Sequence, residues 1–110
     1  MSDWKDQEVR NEVRSRDRNE WIEENRGPPE AGSVTEVYVC ECGYAPCREQ
    51  VNLTRPEYEA VRGYATRFVI AVDHENPEID QVVSEGSRFT VVQKIAGRPA
   101  RIARQTSLRH

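Results

Sequence analysis

Cys40-Glu41-Cys42-Gly43-Tyr44-Ala45-Pro46-Cys47 sets three cysteines within eight residues. Cys40 and Cys42 lie two apart, and on a strand that spacing points both side chains to one face. Gly43 and Pro46 carry turn chemistry, which brings Cys47 back toward the first two and makes a three-sulfur cup from local chain alone. Working outward, Val37 and Val39 alternate before the cup, and Glu49-Gln50-Val51-Asn52-Leu53 alternates after it. The expectation is a hairpin of two strands with a metal at its tip. Three thiolates and one imidazole complete a tetrahedral structural Zn²⁺ site, one ion per chain. His74, at the end of a later apolar run, is the fourth candidate, with Asp73 and Glu75 beside it as acceptors for its second ring nitrogen. Asp73, Asp80 and His110 compete for the same position. Two other readings of the thiols stand beside this one: small buried core residues, or a Cys42–Cys47 pair formed on oxidation.

Immediately after the hairpin, Thr54 and Glu57 stand three apart as a capping box, with Leu53 and Tyr58 at the staple positions. A short helix follows, with Arg62 in its last turn and Gly63 at C′. Arg67-Phe68-Val69-Ile70-Ala71-Val72 is continuously apolar and is predicted to be the central, most buried strand. Asn76 and Pro77 read as N-cap and N1 of a second short helix carrying Ile79, Val82 and Val83 and ended by Gly86. A last strand spans Arg88 to Ile95, with Phe89, Val91 and Ile95 as inward candidates.

Before the hairpin, residues 3 to 26 are almost wholly charged, with only Trp4, Val9, Val13, Trp21 and Ile22 as a sparse apolar stripe. Two readings remain: a solvated helix docking through a few large side chains, supported by the i,i+4 pairs Asp6/Arg10 and Glu12/Arg16, or a frayed arm. The segment Gly27 to Ser33 is a Gly/Pro linker. The predicted class is α+β: a charged N-terminal helix or arm with linker (1–33), a zinc-stabilised domain (34–96), and a loose basic tail (97–110) begun by Gly97-Arg98-Pro99.

Composition sets bounds on function. The chain has 110 residues, 36% apolar and 32% charged, enough for one domain with a small core, where a metal is a common staple. No segment has the length and apolarity of a bilayer span, and Met1-Ser2-Asp3-Trp4-Lys5-Asp6 lacks the form of a signal peptide. Cytoplasmic residence is therefore expected, where cysteines bind metal more often than they pair. Residues 1–85 carry all 19 acidic side chains against 10 Lys and Arg, a balance of −9. Residues 86–110 carry six basic residues and no acid. Such a tail seeks a polyanion, an acidic partner, or the protein's own acidic body.

Catalysis is not expected. Four protein ligands leave no open metal position for water. His74-Glu75 and Pro46-Cys47 match fragments of the zinc-deaminase signature, but its second cysteine spacing is missing. No phosphate loop, nucleotide fingerprint or Ser-His-Asp order occurs.

The motifs Tyr38-Val39-Cys40-Glu41-Cys42-Gly43, Leu53-Thr54, Glu57-Tyr58-Glu59-Ala60-Val61-Arg62, Arg67-Phe68-Val69, His74-Glu75-Asn76-Pro77-Glu78 and Val91-Val92-Gln93-Lys94 together resemble a family of small bacterial proteins common in actinobacteria. Its pattern runs C-E-C-x4-C, L-T-x-x-E-Y-E-x-V-R, R-F-x-V, G-H-E-x-P-E and V-V-x-K, and Arg18-Asn19-Glu20-Trp21-Ile22 is similar to its upstream helix. The resemblance covers about residues 18 to 95 and implies that Cys40, Cys42, Cys47 and His74 act as a set. It implies no activity. Two departures are Tyr44-Ala45-Pro46, where the family is more acidic, and Asp73, where it has glycine. The basic tail has no counterpart in the pattern.

The leading functional expectation is a zinc-stabilised module acting by protein contact, regulatory or adaptor-like, through Trp4, Trp21 and Tyr44. The alternatives are weak nucleic-acid binding through Arg98, Arg101, Arg104 and Arg109, and a thiol sensor that releases zinc on oxidation. Neither a membrane nor a small-molecule substrate is expected.

Overall fold

The first helix, α1 (Trp4–Asn25), docks by Val9 and Val13 and by a larger set of polar residues. Asp6, Val9, Glu12, Val13, Arg16, Asn19, Glu20 and Glu23 are its buried positions, a stripe at three- and four-residue intervals that keeps one helix face inward. The structure, a computed structural model, describes residues 4–27 and 34–109. The linker residues 28–33 and the candidate ligand His110 lie outside the described residues.

The helix docks differently from the expectation. Trp4 and Trp21 are exposed, at 49% and 64%. Neither expected i,i+4 pair forms, because Asp6 binds Arg98 and Glu12 binds Lys94. Arg16 donates to the carbonyls of Ala65 (2.7 Å) and Ala103 (3.1 Å) and lies over the Phe68 ring. A buried polar side chain is tolerated only when its hydrogen bonds are met, and distant chain supplies most of them here.

The hairpin forms as expected, from β1 (Thr35–Val39) and β2 (Gln50–Thr54), antiparallel, with Tyr38 opposite Val51. Thr54 then caps α2 (Arg55–Arg62): Glu57 N donates to Thr54 Oγ1 at 3.2 Å and Thr54 N to Glu57 Oε1 at 2.8 Å. Leu53 and Tyr58 meet in one buried cluster, as the staple requires. Gly63 does close the helix, but at φ −62°, a right-handed cap that makes no use of glycine's freedom.

The second sheet has the order β3–β5–β4, all antiparallel: β3 (Arg67–Ile70), β4 (Asp80–Glu85) and β5 (Thr90–Lys94). Two expectations are corrected. β3 is an edge by pairing order, and β5 is central; β3 reads as central because the Cys40–Cys47 loop, the knuckle, covers its outer edge through Glu41. The predicted helix after Asn76 is one turn only, where Ile79 N and Asp80 N donate to Asn76 O. The chain then enters β4, in keeping with the strand preference of the β-branched Val82 and Val83.

The last correction concerns the tail. Residues 98–105 form α3 (Arg98–Gln105), opened by Pro99 and packed against α1 through Ile102 and Ala103. Proline suits a first helical turn, where its missing N–H costs nothing. The described residues therefore do not divide at 33 or 97. One core cluster joins Val9 and Val13 of α1, Phe68, Ile70 and Val92 of the sheet, and Ile102 and Ala103 of α3. The other sheet face meets Tyr38, Leu53 and Tyr58 through Val69.

Candidate metal centre

Cys40, Cys42, Cys47 and His74 come together as one group, with one ligand atom from each lying within 4.8 Å of all the others. The Nδ1 of His74 stands 3.6 Å from Cys40 Sγ and 3.8 Å from Cys47 Sγ. A tetrahedron with Zn–S arms of 2.3 Å and Zn–N arms near 2.05 Å has S–N edges of about 3.6 Å. The four donors could hold one metal ion.

The hairpin loop and the end of β3 build this group together. Cys40 leaves the hairpin with its N–H still on Glu49 O (3.0 Å). Cys47 is returned by a turn, its N–H on Tyr44 O (3.0 Å). Gly43 lies against α1, where an added Cβ would stand 3.0 Å from both the Cβ and the carbonyl oxygen of Glu8. His74 arrives from the end of β3 through a tight turn, His74 N to Ala71 O at 3.1 Å. Asp73 takes φ 68° in that turn, a region Asp reaches more easily than most residues.

Backbone amides point at the sulfurs. Ala71 N donates to Cys40 Sγ at 3.1 Å, and the amides of Tyr44 and Glu49 serve Cys42 and Cys47. Such donors favour thiolates. Three thiols this close can all ionise only with a cation among them. Hydrogen bonding to Cys42, then burial, pushes the Cys40 thiol up, and burial pushes Cys47 up. The bond from Cys40, then those from His74, the Tyr44 amide and Cys47, hold Cys42 down to about 5. The donor set suits a thiophilic cation, which would allow all three to ionise.

The competing ligands take no part among the described residues. Asp80 is engaged by Lys94 through Oδ1 and by the Asn76 amide (3.0 Å) through Oδ2. Asp73 lies outside the group. Neither Asp73 nor Glu75 bonds the imidazole, so the expected acceptor for its second nitrogen is not formed; one Glu75 oxygen is buried without a partner.

The residue between the first two cysteines went unnoticed in the sequence. Glu41 is fully buried. Its carboxylate accepts from Asn19 Nδ2 (2.8 Å), an Arg62 guanidinium nitrogen (2.8 Å) and Val69 N (2.9 Å), while its own N–H donates to Val69 O (2.8 Å). Residue 41 thereby closes the free edge of β3 and ties the knuckle to α1 and α2. The alternation of a strand sends Cys40 and Cys42 to one side and Glu41 to the other. A second missed cluster is the fully buried Lys94 between Glu12 and Asp80. No sequence signal marks it: with Phe89, Val91 and Ile95 as the inward register, Lys94 falls on the outward one, and β5 is buried on both faces.

The remaining predicted residues are spread over the surface. Tyr44 is 68% exposed on the knuckle. Arg98 bonds Asp6 (2.7 Å), and Arg109 bonds Glu20 (2.7 Å) and Glu59 (2.5 Å), so part of the basic tail has met the protein's own acidic body. Arg101 and Arg104 stay exposed on α3. No helix among the described residues is long and apolar enough to cross a membrane. Comparison with family models, curated proteins and solved structures returns no match.

Proposed function

We propose that the chain is a structural zinc module that works by contact with another protein, in a regulatory or adaptor role, and not by catalysis. The observation that carries this reading is the convergence of Cys40, Cys42, Cys47 and His74, with Nδ1 at 3.6 and 3.8 Å from two sulfurs. Sulfur-rich sets select zinc among the available divalent ions. Four protein donors fill its coordination and leave no position for a reacting water. The resemblance to the small bacterial family supports the same four residues as a set. Tyr44 and Trp21, large and exposed at 68% and 64%, supply aromatic anchors of the kind that dominate protein interfaces.

The test is metal content on natively purified protein, beside Cys42→Ser and His74→Ala. The reading expects one zinc per chain, lost in the first variant and weakened in the second. A folded parent without metal would overturn it. For the contact role, Tyr44→Ala should release a captured partner while zinc content stays unchanged; retention of that partner by both Tyr44→Ala and Trp21→Ala would refute the assignment of these anchors.

A further inference from the structure

α1 sorts its charges by face. The carboxylates of Asp6, Glu12, Glu20 and Glu23 turn inward to Arg98, Lys94, Arg109 and Arg55. Arg10, Arg14 and Arg18 recur every four residues on the outside, all exposed, each about 6 Å further along the axis than the last. Among the described residues these three make no hydrogen bond or ion pair. The helical neighbour that would have neutralised Arg10 is Asp6, and it is taken by Arg98.

Facing Arg14 and Arg18 across an open groove of about 380 Å³ is Arg48 of the knuckle loop. Among the described residues its guanidinium bonds only the backbone carbonyls of Ala45 (3.3 Å) and Cys47 (3.1 Å). Ser15 and Gln50 add neutral donors to the lining, and Glu49 is its one carboxylate. Three residues beyond Arg18, on the same side of the helix, Trp21 is 64% exposed.

We infer that this groove binds the phosphate backbone of a single-stranded nucleic acid. Guanidinium is the side chain whose planar fork matches phosphate oxygens. A row of cations at a constant step suits a polymer with one charge per repeat. An exposed indole at the end of that row is the platform on which a base stacks. A chain with net charge −3 gains no general attraction for polyanions, so the binding has to come from this local surface. The site is distinct from the tail arginines, two of which are already paired, and it goes beyond the zinc-module reading.

The test is fluorescence anisotropy of labelled oligo-dT and oligo-U with the zinc-loaded full chain across a salt series. Four phosphate contacts predict a log–log salt slope of about −2.8 on a single strand. Arg14→Gln/Arg18→Gln/Arg48→Gln should lower the slope by about 2 and weaken low-salt binding more than tenfold. Trp21→Ala should weaken binding with the slope unchanged, and Arg101→Gln/Arg104→Gln should change neither. A preference between the two oligonucleotides identifies RNA or DNA as the ligand. All these side chains are exposed, so thermal melts should match the parent and folding loss cannot mimic the result. Absence of binding at low salt overturns the inference, as does a triple variant with the parent's slope. Equal displacement of the oligonucleotide by polyglutamate would also overturn it, in favour of an acidic protein. Zinc content is read separately, so this site can fail while the metal reading stands.

Discussion

Truncating Glu41 to alanine tests whether one buried carboxylate holds the knuckle to the rest of the protein. The change removes bonds to Asn19, Arg62 and Val69 N. It leaves Arg62, 3% exposed, without its carboxylate. Removing one partner of a buried pair costs about 3–5 kcal/mol, and the orphaned Val69 amide adds about 1 kcal/mol. A domain of this size holds roughly 5–15 kcal/mol in total, so the variant should sit near its folding limit. At 4 °C or more per kcal/mol, its Tm falls by about 20 °C. Glu41→Gln/Arg62→Met removes both charges and keeps an acceptor for Val69 N; it should recover to within about 2 kcal/mol of the parent, because the loss lies in a buried guanidinium deprived of its carboxylate and not in the missing pair. Urea unfolding at a fixed excess of zinc measures this, since bound metal itself adds stability. The reasoning fails if Glu41→Ala unfolds within 1 kcal/mol of the parent, or if the double variant is as damaged as the single.

Three further outcomes are expected. Burial, against the pull of Lys94 and with Asp80 adding to it, pushes Glu12 up to about 8 from 4.5. The folded chain thus keeps a proton that the unfolded chain releases. This contribution is complete below about pH 4.5 and is lost as pH rises through 8, by at most about 1.4 kcal/mol per unit. Glu12→Gln should remove that slope relative to the parent in paired urea titrations at pH 5.5 and 8.5, and an unchanged difference between the two pH values would contradict it. Gly43→Ala should cost about 1–3 kcal/mol and weaken metal binding, because its Cβ meets the Glu8 backbone at 3.0 Å. Gly63→Ala, with φ −62° and its nearest neighbour at 3.5 Å, should be neutral or stabilising by up to about 1 kcal/mol; thermal melts of the pair compare them directly. Chelation should lower the Tm, and metal affinity measured by competition with a chromophoric chelator should fall with pH, since each thiol must release a proton to bind.

The readings that held were those carried by neighbours in the chain. Thr54 with Glu57, the alternation around Cys40 and Cys42, and the turn at Ala45-Pro46 are each decided within a few residues, where sequence spacing is spatial spacing. The convergence of the four residues that could hold a metal was legible for a related reason: cysteine and histidine are few in this chain, and a buried strand carries His74 back toward the knuckle. The helix predicted after Asn76 failed because Asn-Pro marks the start of a turn without saying how long it lasts. Pairing with β5 ended it after one.

Tertiary structure decided the roles of the charged residues. The inward stripe of α1 has helical spacing, but it is written largely in Asp, Glu, Arg and Asn, and hydrophobic periodicity does not register it. Whether a carboxylate lies in water or in a core depends on a cation arriving from far along the chain. Glu41 waits for Arg62, and Asp6 and Glu20 wait for arginines beyond residue 97. Side-chain identity alone sets the capacity for those bonds. Desolvation and long-range pairing, which exist only once the chain has closed on itself, set which of them form.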